Sequence, residues 1–162
     1  MPCRRAQSAH PLRKACPMHK IETAIDIHAS ARRVWDVLAD FERHPDWNPF
    51  VRSIQGQAKE GTKLVVRIQP EGGAGMTFRP RVLVARPGSE LRWRGRFLVP
   101  GLFDGEHYFR IEPTGPNQSR FVHGEVFSGV FVRFAQAGLE KGTKAGFHAM
   151  NRALKARVEA QA

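Results

Sequence analysis

An α+β fold, in which a curved antiparallel sheet of seven strands wraps one long carboxy-terminal helix, is predicted by three observations. The hydrophobic period is two over residues 21–28, helical over 30–41, two again over 51–128, and helical to the end of the chain. The links between the period-two segments are short and carry Gly and Pro, which suits hairpins rather than crossover units. The chain has 162 residues, 41% hydrophobic and 25% charged, the size of one domain able to bury a core without disulfide staples.

The first strand is read from Ile21, Thr23, Ile25 and Ile27, which alternate with Glu22, Ala24, Asp26 and His28. Ser30 then caps a helix whose Val34, Trp35, Leu38 and Phe41 share one face. In the following ERHPDWNPF, Pro45 and Pro49 limit any helix to about two turns. Six strands come next. They run through Val51–Gln57, Leu64–Ile68, Phe78–Val84, Leu91–Phe97, residues 105–112 and residues 118–127. The turns between them are EGGAG at 71–75, Pro87-Gly88, Pro100-Gly101 and PTGPN at 113–117. The last helix carries Leu139, Thr143, Phe147, Met150, Leu154 and Val158 on one stripe. It also carries Gly138, Gly142 and Gly146, each costing about 1 kcal/mol against alanine. Their alignment calls for close approach of another element or for space left for a ligand.

Residues 1–19 are expected to form a disordered basic tail, with residues 20–162 as the single ligand-binding domain. Residues 1–20 hold five of the chain's 26 cations and no acid, a share of the net charge of +11. The segment has no apolar stretch of signal-peptide length, and Met18, just ahead of the first strand, reads as a possible true start. The default compartment is then the cytoplasm, where Cys3 and Cys16 stay reduced. No apolar run is long enough for a transmembrane helix.

The segment IETAIDIHASARRVWDVLADFERHPDWNPFVRSI resembles the opening of START-like helix-grip domains. It resembles most the polyketide cyclase/dehydrase-like branch of the SRPBCC superfamily. LRWRGRF at 91–97, GEHYFRIEP at 105–113, SRFVHGEVFSG at 119–129 and GFHAMNRALKARVEA at 146–160 agree with it. The resemblance covers residues 20–160 and implies a helix-grip fold around a cavity. That family spans lipid carriers, hormone receptors and aromatic polyketide cyclases, so fold leaves function open.

Parity within the hairpin 105–127 puts His107 and Phe109 on one face of its first strand, and Phe121, His123, Glu125 and Phe127 on one face of the second. His107, His123 and Glu125 are therefore candidate catalytic residues inside the cavity. Buried titratable groups are costly unless paired. One role for them is acid–base chemistry, with Glu125 orienting a histidine that moves a proton. The other is a polar network that orients a ligand. Two His and a Glu could also hold a metal, but no second metal-binding motif accompanies them, and no metal or cofactor is expected.

Trp47, Phe50, Trp93, Phe97, Phe103, Phe109, Phe127 and Phe131 are the candidate ligand-binding aromatics. Arg79, Arg81, Arg92, Arg94 and Arg96 have the opposite parity and are expected to form a basic patch on the convex face, with weak scope for membrane contact. No nucleic-acid or nucleotide motif accompanies them; GGAG at 72–75 lies between strands, not before a helix.

Two functions follow. The leading one is a binding or carrier protein for a hydrophobic small molecule or lipid, as a monomer or homodimer. The alternative is a polyketide cyclase/dehydratase-like enzyme using pocket His and Glu as general acid and base. Convergence of the polar groups on one point favours the enzyme; polar groups spread singly among aromatics favour the carrier.

Overall fold

The computed structural model describes residues 18–70, 72–96, 104–129 and 132–160, with the first nine residues of the last helix described as backbone alone. In chain order these residues form β1 (Met18–Ile27), α1 (Ala31–Ala39), a 3-10 turn (Phe41–Arg43), α2 (His44–Trp47), β2 (Val51–Gln55), β3 (Val65–Ile68) and β4 (Met76–Phe78). There follow β5 (Arg81–Arg86), β6 (Glu90–Arg96), β7 (Asp104–Gly115), β8 (Gln118–Ser128) and α3 (Val132–Glu159).

The strands number eight rather than seven. The extra one arises because the segment expected to run Phe78–Val84 is divided at Arg79-Pro80. Pro80 has no N–H to give a ladder, and the chain turns a corner there. The strands form a five-stranded sheet ordered β1-β8-β7-β6-β5 and a three-stranded sheet ordered β2-β3-β4, every pair antiparallel. Backbone hydrogen bonds join the two at the corner. Gly61 N and Leu64 N donate to the carbonyls of Val82 and Pro80, and Val82 N donates to Thr62.

Helix α1 begins as its sequence requires, with the Ser30 hydroxyl accepting from Arg33 N and Val34, Trp35 and Leu38 buried. His44, just beyond it, is buried with both ring nitrogens engaged, by the Leu38 carbonyl and by Asn48 Nδ2. Asn48 Oδ1 in turn accepts from the N–H groups of Phe50 and Val51, which fixes the entry to β2.

The core lies between the sheet and α3. Phe147, Met150, Leu154 and Val158 are fully buried on the helix stripe, and Thr143 is half-buried. Two of the three helix glycines have defined surroundings. A Cβ on Gly146 would fall 2.2 Å from the Phe50 ring, so this glycine admits the edge of Phe50 against Phe147. Gly142 has nothing within 4 Å of its missing Cβ. The surroundings of Gly138 and Leu139 lie outside the described residues.

Of the five arginines expected to form the convex basic patch, Arg92 and Arg94 are paired with acids, while Arg81 donates to the Gly61 carbonyl. Arg92 pairs with Glu90 and Glu106, Arg94 with Glu106, and Arg110 with Glu22 and Glu112. Acids on the same and on other strands thus make this part of the surface mixed in charge. Among the described residues no helix is long and apolar enough to cross a membrane.

Candidate functional site

The hairpin β7–β8 places the titratable residues. Its two-residue turn at Pro116-Asn117 and a register shift between Pro113 and Gly115 leave the parity of residues 105–111 and 121–127 intact. His107 therefore stands directly across from Glu125, and Phe109 across from His123. The neighbouring strands extend these pairs into two rows. One row reads Trp93, His107, Glu125 and Ile21; the next reads Leu91, Phe109, His123 and Thr23. Both rows lie on the face that α3 covers: Phe147 stacks on His123 at 3.7 Å and meets His107 edge-on at 5.2 Å.

The polar atoms of these rows form one continuous chain. Glu125 Oε2 is 3.3 Å from His107 Nδ1. His107 Nε2 and His123 Nε2 are 2.8 Å apart, within hydrogen-bond distance. His123 Nδ1 is 2.9 Å from Asn151 Oδ1, and Asn151 Nδ2 donates to Thr23 Oγ1 at 3.0 Å. The histidines lie behind and the carboxylate in front: 3% of the His107 side chain is exposed against 18% of Glu125. Burial, and then the adjacent His107, push His123 well below its ordinary value of 6.5, against the favourable hydrogen bond from Asn151.

Glu125 reaches His107 because residue 105 is glycine. A Cβ there would lie 2.6 Å from Glu125 Oε1. That oxygen is the movable end of a side chain, so Gly105→Ala is expected to shift the carboxylate at little cost in stability. The melting temperature should hold within about 3 °C, while any rate that depends on Glu125 falls by about an order of magnitude. Thermal melts and kinetics on this single variant check both halves; a loss of stability without loss of rate contradicts the assignment.

The candidate aromatics divide. Trp93 stacks on His107 at 5.1 Å, and Phe109 touches Trp93, both histidines and Phe121. Phe127 is buried beside this cluster in sequence, two residues past Glu125. Phe50 is buried in the core against Phe147, and half-buried Trp47 packs on His44 rather than on the polar chain. Phe97, Phe103 and Phe131 lie outside the described residues. A groove of about 410 Å³ runs beside α3, lined by Pro49, Phe50, Pro70, Gly146 and Arg152 among others, and none of His107, His123 and Glu125 lines it. Among the described residues no cluster of three or more His, Cys, Asp or Glu is disposed to hold a metal ion.

Asn151 and Thr23 are the members that sequence reasoning missed. Each had a visible signal. Asn151 interrupts the apolar stripe of α3 one turn after Phe147, and Thr23 is the polar member of the inward series of β1.

Two histidines held neutral by burial give stability a defined pH dependence. Burial lowers His44 as well as His123. The unfolded chain takes up protons near 6.5 that the folded chain refuses, so stability is full above that pH and falls as pH drops below it. Each histidine contributes a slope of at most about 1.4 kcal/mol per pH unit. Glu22, Glu106 and Glu159, all lowered from 4.5, add their loss only at more acid pH. Thermal melts should be flat above about pH 7 and decline toward about pH 5; a flat profile over that range contradicts neutral burial.

The layout defines a class: a helix-grip domain, its curved sheet closed over a long helix, with a line of polar groups on the covered face. The matching family model, polyketide cyclase / dehydrase and lipid transport, spans residues 18–159, and the chain belongs to that family. A ligand-binding or cyclase role comes with it. Solved structures share the fold. The Zhui aromatase/cyclase from Streptomyces sp. R1128 is 19% identical over 88% of this chain and 94% of its own, with a TM-score of 0.72. A START superfamily protein from Mycobacterium smegmatis is 19% identical over 89% and 99%, at 0.71. A norcoclaurine synthase point mutant from Thalictrum flavum, in complex with a transition-state analogue, is 16% identical over 92% and 99%, at 0.71. A search of curated proteins finds no match.

Proposed function

We propose that this protein binds a largely apolar small molecule on the covered face of the sheet and performs a cyclase- or dehydratase-type proton transfer on it. Glu125 is the catalytic group that meets the ligand, and His107 and His123 are positioning residues behind it. The observation that carries this reading is convergence. The five polar side chains are not scattered among aromatics but form one line that ends at its most exposed member. The roles are the reverse of those expected from parity alone, because His107 has both ring nitrogens engaged and no free one for a ligand. The family description and the names of two fold neighbours, an aromatase/cyclase and a synthase, support the same direction.

A carrier for a hydrophobic small molecule or lipid is the second reading. It is favoured by the aromatic setting of Trp93, Phe109 and Phe147, in which a ligand meets one polar group. Incubation with a naphthyl β-hydroxy ketone separates the two. The enzyme reading expects growth of enone absorbance above the uncatalysed rate. Binding of the compound without enone formation supports the carrier and contradicts the enzyme.

A further inference from the structure

We propose that the groove beside α3 is a second ligand site, separate from the polar chain, and that it takes an aromatic carboxylate, with the flat apolar body in the groove and the anionic group on Arg152. The proposal does not rest on the role of Glu125.

Three elements wall the groove. Pro49 and Phe50 lead into β2, Pro70 opens the turn between β3 and β4, and Ala145, Gly146 and Ala149 come from α3. Its volume of about 410 Å³ falls within the range of small-molecule pockets. Hydrogen bonds tie the first two walls together. Asn48 Oδ1 accepts from Phe50 N at 3.0 Å, Gln69 N donates to the Phe50 carbonyl at 2.8 Å, and Gly73 N donates to the Pro70 carbonyl at 3.1 Å. Pro49 and Pro70 have a fixed φ. The walls are thus in place before a ligand arrives, which spares ordering on binding.

Phe50 divides this groove from the interior. Its ring closes on Gly146, where a Cβ would overlap it, and its edge meets Phe147 at 5.8 Å. Phe147 in turn stacks on His123. A ligand in the groove therefore meets the outer side of Phe50 and none of His107, His123 and Glu125.

Shape and charge together name the ligand class. At 145, 146 and 149 the helix presents nothing larger than a methyl group, and one turn earlier Gly142 has nothing within 4 Å of its missing Cβ. A flat ring can lie against that face, with the prolines and Phe50 opposite. Arg152, at the margin, supplies the one cation of the lining. It is exposed, and among the described residues it has no ion-pair or hydrogen-bond partner. Lys141 and Lys144 are exposed on earlier turns of α3, and among the described residues no acid lines the groove. Gln69, the other polar side chain there, already donates to the Gly73 carbonyl. A carboxylate at the margin matches the guanidinium fork in charge and in geometry.

The test uses the full-length isotope-labelled protein and two probes of one shape, naphthoate and its neutral amide, naphthamide. In amide NMR titrations both should move the resonances of Ala145, Gly146 and Ala149. Naphthoate should bind about threefold to fivefold more tightly at low salt, and high salt should remove the difference. Arg152→Gln should remove it too, by weakening naphthoate alone, and Arg152→Lys should keep part of it. Ala145→Leu fills the groove from an exposed helix position, so it should abolish binding of both probes with the melting temperature unchanged. Equal binding of the two probes, a preference that survives Arg152→Gln, or shifts confined to the neighbours of His107 and Glu125 overturns the proposal. The proposed function is decided apart from these results, by turnover at Glu125.

Discussion

Glu125→Gln is expected to slow dehydration of the naphthyl β-hydroxy ketone by about a hundredfold to ten-thousandfold, the usual range for removing a general acid or base. The carboxamide keeps the volume of the carboxyl and fits above Gly105 as the native side chain does. It can still hydrogen-bond to His107, but it has no dissociable proton to give or to take. Glu125 is partly exposed and belongs to no core cluster, so the melting temperature should move by less than about 4 °C. Rate and melting curve are measured on the same preparation. A variant that unfolds while its folded fraction turns over normally makes Glu125 a structural residue; a variant with the native rate makes it a bystander.

The largest loss of stability is expected at Phe109. Its ring is 1% exposed and touches Trp93, His107, Phe121 and His123. Phe109→Ala removes the ring shared by both rows of the site and leaves a cavity in the middle of the sheet's covered face. The expected cost is about 3–5 kcal/mol, visible in urea titration as a lower midpoint with the slope retained. Phe127→Ala, also buried, is expected within the same range. A cost below about 1 kcal/mol at Phe109 means that the surrounding rings collapse into the space, and the account of a packed, preorganised histidine pair fails with it.

Most of the architecture was legible because two periods carry it. Alternation placed β1, β6, β7 and β8 and the inward face of each, and a 3.6-residue stripe placed α3. The parity of residues 107, 123 and 125 survived because the register shift of the hairpin lies at Pro113–Gly115, ahead of the paired segment. What alternation cannot show is a corner. Arg79-Pro80 continues the polar–apolar pattern, yet the chain changes sheets there, which is why one expected strand is two. The site was half legible for a similar reason. A strand's period tells which face a histidine takes, but not which distant element supplies its second partner. Asn151 lies 28 residues beyond His123 and Thr23 100 residues before it, and only the packing of α3 across β1 and β8 brings the three together. The arginines of β6 show the limit of a one-strand reading: Arg92 and Arg94 both pair with Glu106 on the neighbouring β7.

The central claim is that Glu125 is the polar end of an apolar site and the group that meets the ligand there. It is tested most directly by carbon NMR of acetylnaphthalene labelled at the carbonyl carbon. Contact of the Glu125 side chain with the probe should move the carbonyl resonance on binding to the unaltered protein, and most of that displacement should vanish in Glu125→Leu while the probe remains bound. A bound probe whose carbonyl resonance is the same in the unaltered protein and in Glu125→Leu contradicts the claim.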